Sequence, residues 1–567
     1  MLFQLIFLSC ANIVLIVFYF ITFTPLHTVL LPLQSIGNQF SFMYRGVCSS
    51  GTLYLWDKIA LQVYSRRIPE IQCSSGAPQS DRLDEVESTP DGNCSTLVMI
   101  PNGTSFTSKL EPCQKGSDFK LAEEYRTLLP DSLPDRLLKL PKSSFHMNIL
   151  ILFMDKMSFV DTGRFLFKAT KTFSFYLNGL PYIGFNSIGP DSLETVLSLF
   201  LSENRSCHAD SKFLWNDLKE QGYITQLAAD SNDVFRPDSC GRGVKASDFD
   251  VVVSPRHVSA KHKSDSCFGS VAKHELIFTS LVHFFRQFQK RPKFSFAHLS
   301  QFARDVTAGR QLPDRRLSEF LWVMHSEGHL DNTLVVMMSA HGQTTGAFRM
   351  TKQGRVEERM PYLAVRYPPS LTHSRLDLLE HAFLNSQKLV TVRDLRQTLL
   401  HVSGLPPSQG HGISLLRPIS AQRSCHDAGV SIHYCAFLRM QRRRHDYMQQ
   451  VIADVTHELN ARLHPVRHLC EKLEVNQVLR FGVYHLCDTV LVENTAPFQL
   501  TVTVKPSDAV FDATVHYVNR TSVVQQMDVS RVDDLERGAC VQSSHPHLTE
   551  LCVCRKNTLR QFFRWLF

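Results

Sequence analysis

A chain of 567 residues is longer than one compact core usually holds, so more than one folded unit is expected. With 43% hydrophobic and 20% charged residues, the composition is that of a globular protein and excludes a disordered one. A formal net charge of +8 is mild for this length, and no zinc-finger spacing or basic helix interleaved with aromatics points to nucleic acid.

The chain opens on a segment with no Lys, Arg, Asp or Glu from Met1 to Tyr44, almost continuously apolar from Leu2 to Phe23. That length crosses a bilayer and exceeds the usual apolar stretch of a cleaved signal, and no clear small-x-small cleavage site follows. An uncleaved signal anchor over residues 1–33 is expected, with a cleaved signal peptide as the alternative. The remainder agrees with export. Of 15 cysteines, setting aside Cys10 leaves 14, an even number compatible with seven disulfides. Glycosylation sequons occur at Asn93, Asn102, Asn204 and Asn519. The bulk of the protein is expected to be lumenal or extracellular, either membrane-anchored or secreted.

Residues 34–140 hold Cys48, Cys73, Cys94 and Cys113 with a polar stretch from Ser74 to Ser95, and read as an irregular, disulfide-tied leader. Residues 141–430 alternate helices with buried strands. Ile149 to Met154 is an uninterrupted apolar run of strand length that ends in Asp155. Gly189 and Pro190 then break the chain before a helix whose start fits a capping box of Asp191 and Glu194. Leu193, Val196, Leu197 and Phe200 share one of its faces. A further helix stops at Gly222, before a strand that ends near Asp230. The last helix of this series, with Leu317, Phe320, Leu321 and Met324 on one face, stops at Gly328 and precedes a buried strand from Thr333 to Met338.

This order predicts an α/β fold with a mostly parallel sheet covered by helices on both sides. In such sheets ligands sit beyond the C-terminal ends of the strands, where Asp155 and His341 both fall. After about residue 430 the character changes. A helix over Phe437 to Leu463 precedes alternating segments, Gln499 to Ser507 and Ala513 to Asn519, and the end carries Cys540, Cys552 and Cys554. Residues 431–567 are expected to form a helix plus a small β-containing, cysteine-linked region. The basic run Arg442 to Arg444 beside His445 reads as a solvated helix face.

Asp155, Ser192 at a helix N-terminus, and His341 after a later strand form a chemically suggestive set. A hydroxyl there suits attack on a phosphate or sulfate ester, because the helix N–H groups receive the anion and a metal lowers the hydroxyl pKa. Separately, each has an ordinary reading: Ser192 as part of a cap, Asp155 as a turn cap, His341 as a structural histidine.

The stretches "NILILFMDKMS", "GFNSIGPDSLETVLSLFLS", "GYITQLAAD", "NTLVVMMSAHG", "TKQGRVEERMPYLAV", "HGISLL" and "RSCHDAGVSIHYC" occur in an order and spacing that resembles the domain of unknown function 229 family. That family is a sulfatase-like branch of the alkaline phosphatase/sulfatase superfamily. The resemblance covers about residues 145 to 440 and implies an alkaline-phosphatase-like core with one or two divalent metals around a nucleophile. It makes Ser192 the candidate nucleophile, where the family usually has threonine. It makes Asp155, Asp230, Asp305, His341 and His411 candidate metal ligands. Two positions depart from the pattern: Ala340 replaces the aspartate of the Asp-His-Gly motif, and Arg304 stands where the family tends to have histidine.

Alanine offers a metal no donor, and arginine places a permanent positive charge where an imidazole would bind it. Three functions are therefore weighed: a pseudoenzyme that binds without catalysis, an active metal-dependent phosphoester hydrolase using Ser192, and a structural glycoprotein. The sulfatase motif Cys-x-Pro-x-Arg is not present, so sulfate esters are the poorer substrate guess. The expected cofactor is a divalent metal (zinc, calcium or magnesium) if the site is active, or none. The expected partners are the membrane, through the apolar segment, and an anionic ester.

Overall fold

The computed structural model describes residues 95–102, 105–112 and 139–555, apart from 202–211, 239–240, 255–266, 269–270, 301–312, 345, 438, 442–446, 486–496, 518–523, 534–537, 543 and 546–547. The N-terminal apolar segment, the Arg442 to His445 run, Arg304, Asp305 and the sequons at Asn93, Asn204 and Asn519 lie outside the described residues. Asn102 ends the first strand of a hairpin formed by Ser95–Asn102 and Ser105–Pro112.

The main sheet has seven strands: β1 (Asn148–Lys156), β2 (Leu180–Pro181), β3 (Ile224–Ala229), β4 (Val251–Val253), β5 (Lys293–Leu299), β6 (Thr333–His341) and β7 (Leu363–Arg366). Their spatial order is β2-β7-β6-β1-β5-β3-β4. The run from β6 to β4 is parallel, and β7 and β2 extend the β6 edge through antiparallel pairs. Strand alternation sends the residues of β1 to opposite faces. Ile149, Ile151 and Phe153 join one apolar cluster, and Leu150, Leu152 and Met154 join the other. A strand buried on both faces needs no polar alternation, which is why its sequence is a continuous apolar run.

Helices cover both faces. α1 (Phe159–Phe165), α4 (Lys273–Gln287) and α5 (Asp314–Ser326) pack on the Leu152 side. α2 (Ser192–Phe200), α3 (Leu214–Glu220) and α7 (Val392–Val402) pack on the Phe153 side. Gly222 and Gly328 stop their helices with φ of 96° and 74°, in the left-handed region that glycine adopts without strain. The expected mostly parallel α/β architecture is what forms.

The C-terminal part is a five-stranded antiparallel sheet of β8 (Arg439–Gln441), β9 (Glu474–His485), β10 (Phe498–Lys505), β11 (Ala509–Tyr517) and β12 (Val524–Arg531), faced by α8 (Met448–Leu463). The helix expected from Phe437 is shorter. Arg439 to Gln441 pair with His485 to Val483 instead, because backbone pairing along that edge outweighs the local helical pattern. Disulfides Cys470–Cys552 and Cys540–Cys554 close this half, while Cys425–Cys435 lies in the apolar cluster of the main sheet.

α6 (Lys352–Arg359) joins the two halves. Arg349, just before it, meets Glu358 at 2.6 Å and Asp512 of β11 at 3.2 Å. Arg355 reaches the other oxygen of Asp512 at 3.2 Å, and Thr501 donates to that same oxygen at 2.6 Å. Arg349 and Asp512 are both fully buried. On the far side Arg164 of α1 forks onto Glu357 with two bonds of 2.8 Å. Buried charges tolerate little loss of a partner, since the survivor stays desolvated. Asp512→Ala is therefore expected to lower the unfolding free energy by about 3–5 kcal/mol in chemical denaturation, whereas Asp377→Ala, in an exposed pair with Arg375, should leave the midpoint unchanged.

Candidate functional site

Three of the sequence candidates meet at the C-terminal end of the sheet. β1 delivers Asp155 and the adjoining β6 delivers His341; the Met157 N–H donates to the His341 carbonyl at 2.9 Å and locks the two strand ends together. Gly342 then runs against α6. Its N–H donates to the Glu358 carbonyl at 2.9 Å, and a Cβ at this position would lie 2.3 Å from the Glu357 carbonyl oxygen. Only glycine fits there, and the close seating fixes His341. From the other side, Asp191 caps α2 by accepting from the Leu193 N–H at 3.0 Å, and Arg236 donates to the same carboxylate oxygen at 2.8 Å. Ser192, first residue of the helix, lies with its Oγ 3.2 Å from His341 Nε2 and also hydrogen-bonds Asp155.

The protons can be assigned from these contacts. His341 Nδ1 lies 2.8 Å from the Gly342 carbonyl, which can only accept, so Nδ1 carries the hydrogen. Nε2 is then an acceptor in the neutral ring. Burial, followed by the nearby Lys156, pushes the His341 pKa down to about 4, so the ring is neutral near pH 7. Burial alone would raise the Asp155 pKa, but His298, the Ser192 hydroxyl and His341 together hold it below the usual carboxylate value. The ionised carboxylate and the neutral imidazole therefore compete for the single Ser192 proton.

The other sequence candidates fall elsewhere. Asp230, fully buried after β3, accepts from the Ser300 N–H at 2.7 Å, and its own N–H donates to the His298 carbonyl at 3.1 Å. These bonds join β3 to the end of β5. His411 is exposed; its Nδ1 donates to the Asp427 carbonyl at 3.2 Å, and its carbonyl accepts from Arg423 at 2.6 Å. Both of these bonds run to the loop of Arg423 to Gly429. Ala340 is buried in the apolar cluster on the Phe153 side of the sheet.

Sequence reading passed over His298, whose ring stacks on Phe153 at 5.5 Å between centroids and which heads the electrostatic neighbours of Asp155. The local signal was partial: "KFSFAHL" is a buried strand whose penultimate residue is a histidine, whereas the strand within "NTLVVMMSAH" ends in one.

The donor set does not fit a two-cation centre. Ala340 provides no ligand, and among the described residues the only three His, Cys, Asp or Glu ligand atoms within 4.8 Å of one another are those of Cys470, Cys540 and Cys552. Those sulfurs are already in disulfides. No three-ligand set is preformed for one cation either, but two donors stand open in this region. Asp155 Oδ1 is buried with no hydrogen-bond partner, as is His298 Nδ1, and buried polar atoms are ordinarily satisfied.

The family described as Protein of unknown function (DUF229) matches residues 79–479, and the chain belongs to it. No curated protein matches the chain. Among solved structures the chain is similar to the C-terminal periplasmic domain of EcEptC from Escherichia coli in complex with Zn, at 12% identity over 51% of this chain and 91% of that one, TM-score 0.34. It is similar to a protein in the alkaline phosphatase superfamily from Vibrio parahaemolyticus, at 12% identity over 72% and 90%, TM-score 0.34. It is also similar to the phosphonate monoester hydrolase of Agrobacterium radiobacter, at 11% identity over 62% and 88%, TM-score 0.33.

Two buried imidazoles make stability depend on pH. Burial and then Arg359 push His433 down to about 3, where Thr514 and Ser530 hold both ring nitrogens. An unfolded imidazole titrates near 6.5. The unfolded chain therefore takes up protons before the fold does, and the His341 and His433 contributions are full above about pH 6.5. They are lost as pH falls toward about 4 and about 3 respectively. The thermal midpoint is expected to drop across this window, and His433→Gln should flatten the slope; identical slopes in the two proteins would contradict the assignment.

Proposed function

We propose that this member of the DUF229 family is a membrane-anchored or secreted glycoprotein whose sulfatase/alkaline-phosphatase-like site has lost efficient ester hydrolysis and works as a binding site. The observation that carries this reading is Ala340: beside Asp155, where a metal-binding carboxylate is expected, the chain places a buried methyl group within the apolar cluster. The three disulfides support an oxidising, lumenal or extracellular location. The four sequons support glycosylation. No helix among the described residues is long and apolar enough to cross a membrane, so anchoring rests on the Leu2–Phe23 segment, outside them.

A second reading, weak phosphoester hydrolysis, is favoured by the 3.2 Å approach of Ser192 Oγ to His341 Nε2. Ser192 would attack phosphorus as its proton passes to Nε2; the Oγ–P bond forms and the bond to the leaving oxygen breaks. A divalent cation held through Asp155 would lower the pKa of the hydroxyl, whereas a cation taken by His341 Nε2 would remove the acceptor for the serine proton. The proton transfer supports the reading of an inefficient reaction. General bases work best with a pKa near the working pH, and a ring pushed down to about 4 holds a proton poorly at pH 7.

The test is purified ectodomain assayed on an aryl phosphate and an aryl sulfate with added divalent cation. No turnover above the Ser192→Ala variant is expected. Turnover that disappears in Ser192→Ala would establish the hydrolase reading instead. Restoring the carboxylate with Ala340→Asp should destabilise the metal-free protein, since it buries a second charge beside Asp155, and should tighten divalent cation binding at least about tenfold, as titration would measure.

A further inference from the structure

We propose that His298 completes a single-zinc site with Asp155 and His341, on the opposite side of Asp155 from the carboxylate that Ala340 has lost. This rests on the reading of the site as a degenerate metal centre. The register of the sheet makes the case. In the parallel pairing of β1 with β5, Phe153 lies beside His298. Asp155, two residues on, therefore shares the face of His298. In the pairing of β1 with β6, Ser339 lies beside Met154 and His341 beside Lys156, which places Ala340 beside Asp155. Asp155 is thus flanked by a methyl group on one neighbouring strand and approached by an imidazole from the other.

The hydrogen-bonding balance points the same way. Asp155 Oδ1 and His298 Nδ1 are both buried with no partner. His341 Nε2 is an acceptor, because its Nδ1 proton is directed to the Gly342 carbonyl. The Ser192 hydroxyl brings one proton to a carboxylate and an imidazole nitrogen. The cluster holds more acceptors than hydrogens, and a cation satisfies several acceptors at once without needing protons.

Two imidazoles, a carboxylate and a serine oxygen give four donors of the kind zinc takes in tetrahedral sites, whereas calcium and magnesium require six or more oxygens. The Asp155, His298 and His341 donors do not lie within 4.8 Å of one another, so an ion would draw them together through rotation of the Asp155 and His298 side chains. The stack on Phe153 leaves His298 held by packing alone on its Nδ1 edge, with no hydrogen bond there to break.

The experiment is titration of chelator-stripped ectodomain with zinc, followed by calorimetry, and with cobalt(II) as a visible-absorption reporter of nitrogen ligation. One ion per chain is expected. His298→Leu should weaken binding on the order of 100-fold or more, as a direct ligand loses at least what an outer partner does, while the metal-free thermal midpoint holds or rises because an unsatisfied nitrogen is gone. Should that variant fold poorly, His298→Gln read by the cobalt spectrum gives the same decision: a changed band supports ligation and an unchanged one overturns it. Two ions per chain, unaltered affinity in His298→Leu, binding of calcium or magnesium in preference to zinc, or no binding by the unmutated protein would each overturn the proposal. Ester turnover does not enter into it, so Ser192-dependent hydrolysis would sink the binding-protein reading and leave the zinc site to be judged by its own data.

Discussion

The backbone contact between Gly342 and the Glu357–Glu358 turn of α6 is the constraint on which the site depends. With no side chain in the way, the end of β6 lies directly on the helix, and the Glu358 carbonyl takes the Gly342 N–H. That contact aims His341 at Ser192. α6 is in turn fixed by charges that cannot leave: Glu357 under the Arg164 fork, and Arg349 and Arg355 on Asp512. Burial raises the pKa of Glu357 and Glu358 while the arginines oppose it, and Asp512 is held well below the usual carboxylate value. Such a network contributes less net stability than its number of pairs suggests, but it fixes geometry, because every misplaced member leaves a buried charge unpaired. The C-terminal sheet therefore has a bearing on the site although it supplies none of the three converging groups: Asp512 of β11 holds the helix on which Gly342 rests.

The same economy of space explains the chemistry at the strand ends. Asp155 stays ionised in a buried setting only because polar neighbours surround it, and His341 stays neutral because burial outweighs the nearby carboxylate. With Ala340 in the core, Ser192 shares its proton between two acceptors. That arrangement is the basis of the binding role proposed for the site.

Much of the fold was legible in the chain because the signals were local. Continuous apolar runs announced β1 and β6, helical spacing of Leu193, Val196, Leu197 and Phe200 announced α2, and Gly222 and Gly328 announced the helix stops. Where the expectation failed, a long-range partner was responsible. Arg439 to Gln441 became a strand because β9, more than thirty residues further on, offered an edge. His298 escaped attention because nothing beside it in sequence shows that the next strand in the sheet ends in Asp155.

The sequence by itself determined the alternation of helices and buried strands, the two strand-end residues Asp155 and His341, the hydroxyl at the start of α2 and the missing carboxylate at Ala340. The first three are written in composition or spacing within a few residues, and the missing carboxylate is what the resemblance of "NTLVVMMSAHG" to an Asp-His-Gly motif implies. Tertiary structure alone decided which of these groups meet, that Asp230 joins β3 to β5, that His411 lies exposed against the Arg423 to Gly429 loop, and that His298 stands on the face of Asp155. Those outcomes depend on strand order and register, which are set by how the apolar faces of distant segments pack together, and no single segment carries that information.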